Sequence, residues 1–221
     1  MKIEAGDLGE CTGAESAMLV HEPCGCVNAC PAATGKASFE IRSRIVRHCS
    51  PTLAGLKCGS MFKVCGLDRI GSEEMVSEEI RHHHDRGLSY RVLFRDRCGT
   101  LFYIYRPKLL AKRMSEPGVA EFLESYGYIG LDVEGMVRRL ENRFEECGMP
   151  PEVAIFLDYP LEDVVGYIEN DGRGCKMIGC WKVYGDVEQA EVRFRNYRDC
   201  RDTFLRRLSE GFGLESMVVR C

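Results

Sequence analysis

The densest run of reactive side chains in the chain is Arg47-His48-Cys49-Ser50-Pro51-Thr52-Leu53-Ala54-Gly55-Leu56-Lys57. Cysteine reacts as its thiolate, which a helix N-terminus and neighbouring cations stabilise. Ser50-Pro51 has the composition of a helix start, because serine caps and proline fits the first helical position. On that reading Cys49 stands just before free backbone N–H groups, with His48 beside it and Arg44 and Arg47 close in sequence. Cys49 and His48 are therefore the candidate catalytic pair. The same start could hold a phosphate or carboxylate without covalent chemistry, through Ser50, Thr52 and the amides behind them, with Lys57 adding charge. The competing role for Cys49 is that of a small apolar group in the core. Gly55 falls inside the second helix, where glycine costs about 1 kcal/mol relative to alanine, so it implies a close neighbour.

Other groups carry weaker chemistry. Trp181-Lys182-Val183-Tyr184-Gly185-Asp186 reads as a strand end entering a helix. Ligands of open α/β sheets bind beyond such ends, which makes Lys182 and Tyr184 candidate binding residues. Asp158, Glu162 and Asp163 follow another expected strand, and a helix start explains their charges. His21, Cys24, Cys26 and Cys30 could hold zinc or an iron–sulfur cluster, although Cys24-Gly25-Cys26 is tighter than a zinc knuckle and has no second knuckle. Cys175 and Cys180 could form a redox pair, but lack the two-residue spacing of redox motifs. His82-His83-His84-Asp85 cannot converge on one ion from a helix, because consecutive residues point apart. No Walker loop, dinucleotide-binding glycine pattern, zinc-protease helix or serine elbow is present.

These residues must be positioned by a mixture of helices and strands. Ser38 to Cys49 has helical periodicity, and Pro51 should stop or kink it. Met61–Cys65 reads as a short strand and Ser72 as the start of another helix. Tyr90–Arg95 and Leu101–Tyr105 form a hairpin about Asp96-Arg97-Cys98-Gly99, the second strand being more apolar and so more buried. Pro107, Pro117 and Asp132 open three helices. Val153–Leu157 then reads as a buried strand, Pro160 as a helix start, Met177–Val183 as a second strand and Asp186 with Gln189 as the capping box of a helix. A last helix falls near 200–210. The strand–helix–strand order implies a parallel pair. The expected fold is mixed α/β, bordering α+β. A single sheet of about five strands, with an antiparallel hairpin and a parallel C-terminal pair, is covered by helices. Residues 1–36 read as a flexible cysteine-containing extension and 37–221 as one domain.

The net charge of −4, with signs interspersed, argues against a polyanion-binding protein. Arg193, Arg195, Arg198, Arg201, Arg206 and Arg207 are interleaved with Glu191, Asp199 and Asp202, the pattern of a solvated helix face, which argues against nucleic acid as a partner. Met1–Asp7 lacks a basic start and an apolar core, and no run approaches the roughly 18 apolar residues of a membrane span. A cytoplasmic, membrane-free protein with reduced thiols follows as the expectation for the thirteen cysteines.

Three stretches taken together, His48–Lys57, Phe156–Val164 and Trp181–Asp186, resemble an uncharacterised family of anaerobic-bacterial proteins catalogued as a domain of unknown function. The resemblance covers roughly residues 38–210. In that family alanine is usual at Ser50 and glycine at Asp158, and a histidine is often found near Pro151, where this chain has none. The family implies no activity or cofactor; its members often being encoded near flavodoxins or iron-uptake systems would fit a redox or metal setting. The leading expectation is a small anionic ligand or cofactor at the His48–Lys57 junction, with thiol chemistry at Cys49. The alternatives are a non-catalytic interaction or regulatory protein in redox or iron handling, with a protein partner, and a metal-binding protein using the N-terminal cysteines.

Overall fold

The computed structural model describes residues 34–65 and 69–220. Three strands form the central sheet: β1 (Gly59–Cys65), β2 (Ser89–Arg95) and β3 (Gly99–Tyr105), in the order β1-β3-β2 and antiparallel throughout. The expected hairpin is β2–β3. Its turn is held by the Asp96 carboxylate, which accepts from the amides of Cys98 and Gly99 at 2.8 and 2.9 Å. β3 is the central strand and, as its composition implies, the more buried one.

Alternation along β3 divides the interior in two, because successive side chains point to opposite faces. Leu101, Tyr103 and Tyr105 face one core, together with Leu110, Leu140, Phe144, Phe156, Trp181 and Phe194. Phe102 and Ile104 face the other, together with Ile41, Ile45, Cys49, Phe62, Val76 and Leu208. The first core is covered by α3 (Pro107–Met114), α4 (Val119–Glu124), α5 (Val133–Cys147), α6 (Val153–Phe156) and α7 (Leu161–Glu169). The second is covered by α1 (Thr34–Leu53) and α2 (Arg69–Arg81). The last helix, α8 (Val187–Ser209), serves both: Ala190 and Phe194 enter the first core, Phe204 and Leu208 the second. The two helices expected after Asp186 are thus one.

The sheet departs from expectation in two places. Val153–Leu157 is not a strand but the four-residue helix α6 and its end, with the Leu157 amide donating to the Val153 carbonyl at 3.0 Å. A short run that is apolar on every side fits either element, and here all five side chains are buried. Met177–Val183 is a tight antiparallel hairpin, β4 (Met177–Ile178) and β5 (Lys182–Val183), separate from the main sheet. The chain therefore has mixed helix and strand with small antiparallel sheets, not one five-stranded sheet with a parallel pair.

The junction at Ser50 also differs. α1 runs through Pro51 to Leu53, so the expected helix start is a helix end. The Ser50 hydroxyl donates back to the Val46 carbonyl instead of capping a new helix. Leu56 N–H donates to Pro51 O at 2.8 Å and Gly55 N–H to Thr52 O at 3.1 Å, with Gly55 at φ 72°. That is the Schellman ending, which needs a left-handed residue; glycine is there for its backbone, not for packing inside a helix. The buried Arg106 guanidinium completes it by donating to the carbonyls of Thr52, Leu53, Arg86 and Val219. A helix C-terminus carries negative partial charge, so the junction attracts cations, the reverse of the anion-binding start inferred from Ser50-Pro51.

Candidate functional site

The structure separates the residues that adjacency in sequence had grouped. Cys49 has no exposed surface, and burial pushes its thiol well above the ordinary range. His48 points the other way, exposed, with its ring stacked parallel to Phe62 at 6.3 Å. Ser50 and Thr52 are fully buried, and the Thr52 hydroxyl shares a hydrogen bond with Ser60 at 2.7 Å. Lys182 donates to the Gly172 carbonyl at 2.8 Å and lies over the Tyr167 ring. Tyr184 packs so closely on α7 that a Cβ at Gly166 would stand 2.5 Å from it. Lys182 and Tyr184 thus sit against α7, away from the junction. His21, Cys24, Cys26 and Cys30 lie outside the described residues. Among the described residues no group of three or more His, Cys, Asp or Glu could hold a metal ion.

Lys57 lies behind a cleft with charged walls: it does not line the cleft, but its ammonium is 5.6 Å from the ring centroid of Tyr197 in the cleft wall. The cleft encloses about 270 Å³ and is lined by Leu56, Arg113, Glu116, Asp158, Arg193, Asn196 and Tyr197. Pockets for drug-sized ligands start at about 300 Å³, so this one suits a smaller molecule. A wider groove of about 660 Å³ runs along α2, but Glu74, Glu78, Arg81 and His82 there are exposed, so their charges stay hydrated.

Each wall has a local cause. The Schellman end of α1 turns the chain so that Leu56 and Lys57 project towards α8. Arg113 comes from the last turn of α3, where a cation complements the dipole. It pairs with Glu116, donates to the Tyr159 carbonyl at 2.6 Å, and its Nε lies 3.6 Å from Asp158 Oδ1. That Nε is buried and donates no hydrogen bond among the described residues. Asp158 follows α6 with φ 63°, a left-handed geometry that aspartate tolerates better than most residues. Its Oδ2 accepts from the Cys58 amide at 3.3 Å. Arg193, Asn196 and Tyr197 occupy one face of α8 at i, i+3 and i+4. Arg193 forms no ion pair or hydrogen bond among the described residues.

The electrostatics centre on Asp158 and Lys57. Burial raises the Asp158 pKa, opposed by Arg113, then Lys57, then the Cys58 amide and Arg193. Burial lowers the Lys57 pKa, opposed by Cys58, Asp158, Cys49 and Cys180. The Lys57 ammonium lies 5.6 Å from the ring centroids of both Tyr159 and Tyr197 and has no hydrogen-bond acceptor among the described residues. Tyr159 in turn stacks on Trp181 at 4.8 Å, and Trp181 meets Phe194 edge-on at 4.5 Å. The three sequence stretches that stood out are therefore joined in space. Asp163 provides the second link: its carboxylate accepts from Trp181 Nε1 at 2.7 Å and from the amides of Tyr184 and Gly185 at 2.7 and 2.8 Å.

Sequence reasoning missed Arg113, Glu116, Arg193 and Asn196. Phe194 and Tyr197 were legible as the inward face of α8, and Arg193 and Asn196 flank that face. Nothing local marks Arg113 as the partner of a residue 45 positions away.

The fold and site define a helix-covered antiparallel sheet with a small cleft lined by two arginines and two carboxylates. The chain belongs to the family described as Protein of unknown function (DUF3793), which matches residues 45–218 and so includes every residue of the cleft. No curated protein and no solved structure matches it. Among the described residues no helix is long and apolar enough to cross a membrane.

Proposed function

We propose that this protein binds a small anionic ligand in the cleft between the end of α1, Asp158 and α8. The observation that carries the reading is that three cations, Lys57, Arg113 and Arg193, all act on the single carboxylate of Asp158. Glu116 is the other anion in the cleft and lies at its rim, 45% exposed. Arg113 and Arg193 line the cleft against Glu116 and Asp158, a charge balance that burial of Asp158, by favouring its neutral form, shifts towards the cations. An incoming carboxylate or phosphate would restore it and accept from the Arg113 Nε and the Arg193 guanidinium, charge-assisted bonds being about twice as strong as neutral ones. This moves the anion site from the helix-start amides to the cleft and leaves the buried Cys49 out of it.

The test is titration calorimetry with malonate and with inorganic phosphate, on wild type and Arg193→Gln. Arg193 makes no hydrogen bond or ion pair among the described residues, so the variant should keep its melting temperature and lose at least about tenfold in affinity, or about 1.4 kcal/mol. No binding of either anion up to about 10 mM, a very weak affinity, or equal binding by both proteins, overturns the proposal.

A further inference from the structure

The charges that line the cleft are of both signs and come from different elements. Its carboxylates, Glu116 and Asp158, are held by Arg113, which pairs with Glu116 and has its Nε 3.6 Å from Asp158 Oδ1. Arg113 also donates to the Tyr159 carbonyl at 2.6 Å, so its guanidinium is turned onto the protein itself. The helix α8 contributes Arg193 and Asn196, one turn apart, and neither side chain makes a hydrogen bond or ion pair among the described residues. Arg193 is near enough to act on the charge of Asp158, yet no ion pair joins them; both line the cleft instead. Leu56, 49% exposed, supplies the aliphatic part of the lining. A lone carboxylate in this space pairs with Arg193 but meets Glu116 and Asp158 as like charges. A lone amine pairs with those two but meets Arg193. A ligand that carries both charges escapes either conflict, and the volume of about 270 Å³ requires them to be close together.

We infer that the cleft holds a free α-amino acid with a small aliphatic side chain, its carboxylate on Arg193 and Asn196, its ammonium on Glu116 and Asp158, and its side chain against Leu56. The inference rests on the anion-binding reading, because the ligand's carboxylate is the anion of that reading, and it names the rest of the molecule. An α-carbon carries the carboxylate and the ammonium on adjacent bonds, the spacing that suits a narrow gap between a cation and a carboxylate. Each end then makes charge-assisted hydrogen bonds. Glu116, at the rim, is the principal partner of the ammonium, since burial favours the protonated form of Asp158. The planar guanidinium of Arg193 suits a carboxylate, and the Asn196 amide adds a donor from the same helix face.

The experiment is titration calorimetry of the full chain at neutral pH with three probes: L-valine, isovalerate, which is valine without its amine, and isobutylamine, which is valine without its carboxylate. Valine should bind at least about tenfold tighter than either fragment. Arg193→Gln should weaken valine and isovalerate alike. Glu116→Gln should bring valine down to the affinity of isovalerate and leave isovalerate no weaker than on wild type. Valine no tighter than isovalerate, with both weakened by Arg193→Gln, overturns the amino acid and leaves the anion site standing. Isobutylamine as tight as valine, or a valine affinity untouched by Arg193→Gln, overturns the amino acid and the anion site together. No binding of any probe up to about 10 mM does the same. Melting temperatures show whether each variant is folded, and the comparison of the three probes on wild type decides the ligand class even if Glu116→Gln is not.

Discussion

Asp163 is the residue whose removal has the clearest consequence. It is 2% exposed, and its two carboxylate oxygens accept three hydrogen bonds, from Trp181 Nε1 and the amides of Tyr184 and Gly185. Bonds to a charged group contribute about 1.5–3 kcal/mol each, so three give roughly 4–9 kcal/mol. Against that stands the desolvation of a carboxylate with no ion-pair partner among the described residues, several kcal/mol after relaxation. The net for Asp163→Ala is a loss of about 3–4 kcal/mol, because three buried donors are left without acceptors. Asp163→Asn keeps an oxygen for the two amides but turns an NH₂ group towards the indole N–H, a donor against a donor. It should lose about 1.5–3 kcal/mol. Trp181 is the only tryptophan and is buried, so its emission in a urea titration reports the site directly, with far-UV circular dichroism as a global check. Trp181→Phe should shrink the cost of Asp163→Asn, since the clash then has no partner, and the double-mutant cycle isolates that coupling. An Asp163→Ala protein within about 1 kcal/mol of wild type would refute the reasoning: the carboxylate's own desolvation would then cancel everything it holds.

Two other perturbations test the frame of the cleft. Arg106→Met should lower stability by about 3–5 kcal/mol in a denaturant titration, because it strips donors from the carbonyls of Thr52, Leu53, Arg86 and Val219. Arg106→Lys, a single point charge in place of a fork, should recover less than half of that loss. Asp158→Asn tests the raised carboxyl pKa and leaves the left-handed backbone acceptable. Between its ordinary and raised values Asp158 binds more protons folded than unfolded, so its contribution to stability is fully present at low pH and falls as pH rises through that window. The variant should match wild type near pH 3 and gain on it above about pH 4–5; a gap that narrows with rising pH contradicts the assignment.

What the sequence made legible was local. The hairpin about Asp96, the caps at Asp132 and Asp186, and the inward faces of α5 and α8 all follow from spacing within a few residues, and the structure has them. Pro51 was misleading for a physical reason. Proline after serine is both a helix start and a tolerated break, and what decides is Gly55, which closes a helix that has already passed Pro51. Val153–Leu157 misled because burial on all sides erases the periodicity that separates helix from strand. The cleft was hardly legible at all. Lys57, Arg113, Asp158 and Arg193 lie on four elements, and only the packing of α8 across the sheet edge brings them together.

That helix has one more consequence. At 23 residues α8 is a rod about 35 Å long, rooted at one end in the core beneath Trp181 and at the other in the core beneath α1. Tyr197 rides between the two anchored ends, and Arg193 stands beside Phe194 at the first of them. A lever fixed at both ends cannot swing, so the cleft cannot open like a jaw between two halves of the molecule. Admission of a ligand falls to the short pieces opposite, the turn at Leu56 and the chain about Asp158. The two cores are likewise spliced by one continuous ladder of hydrogen bonds, so the amides of α8 should exchange with solvent only when both cores give way together.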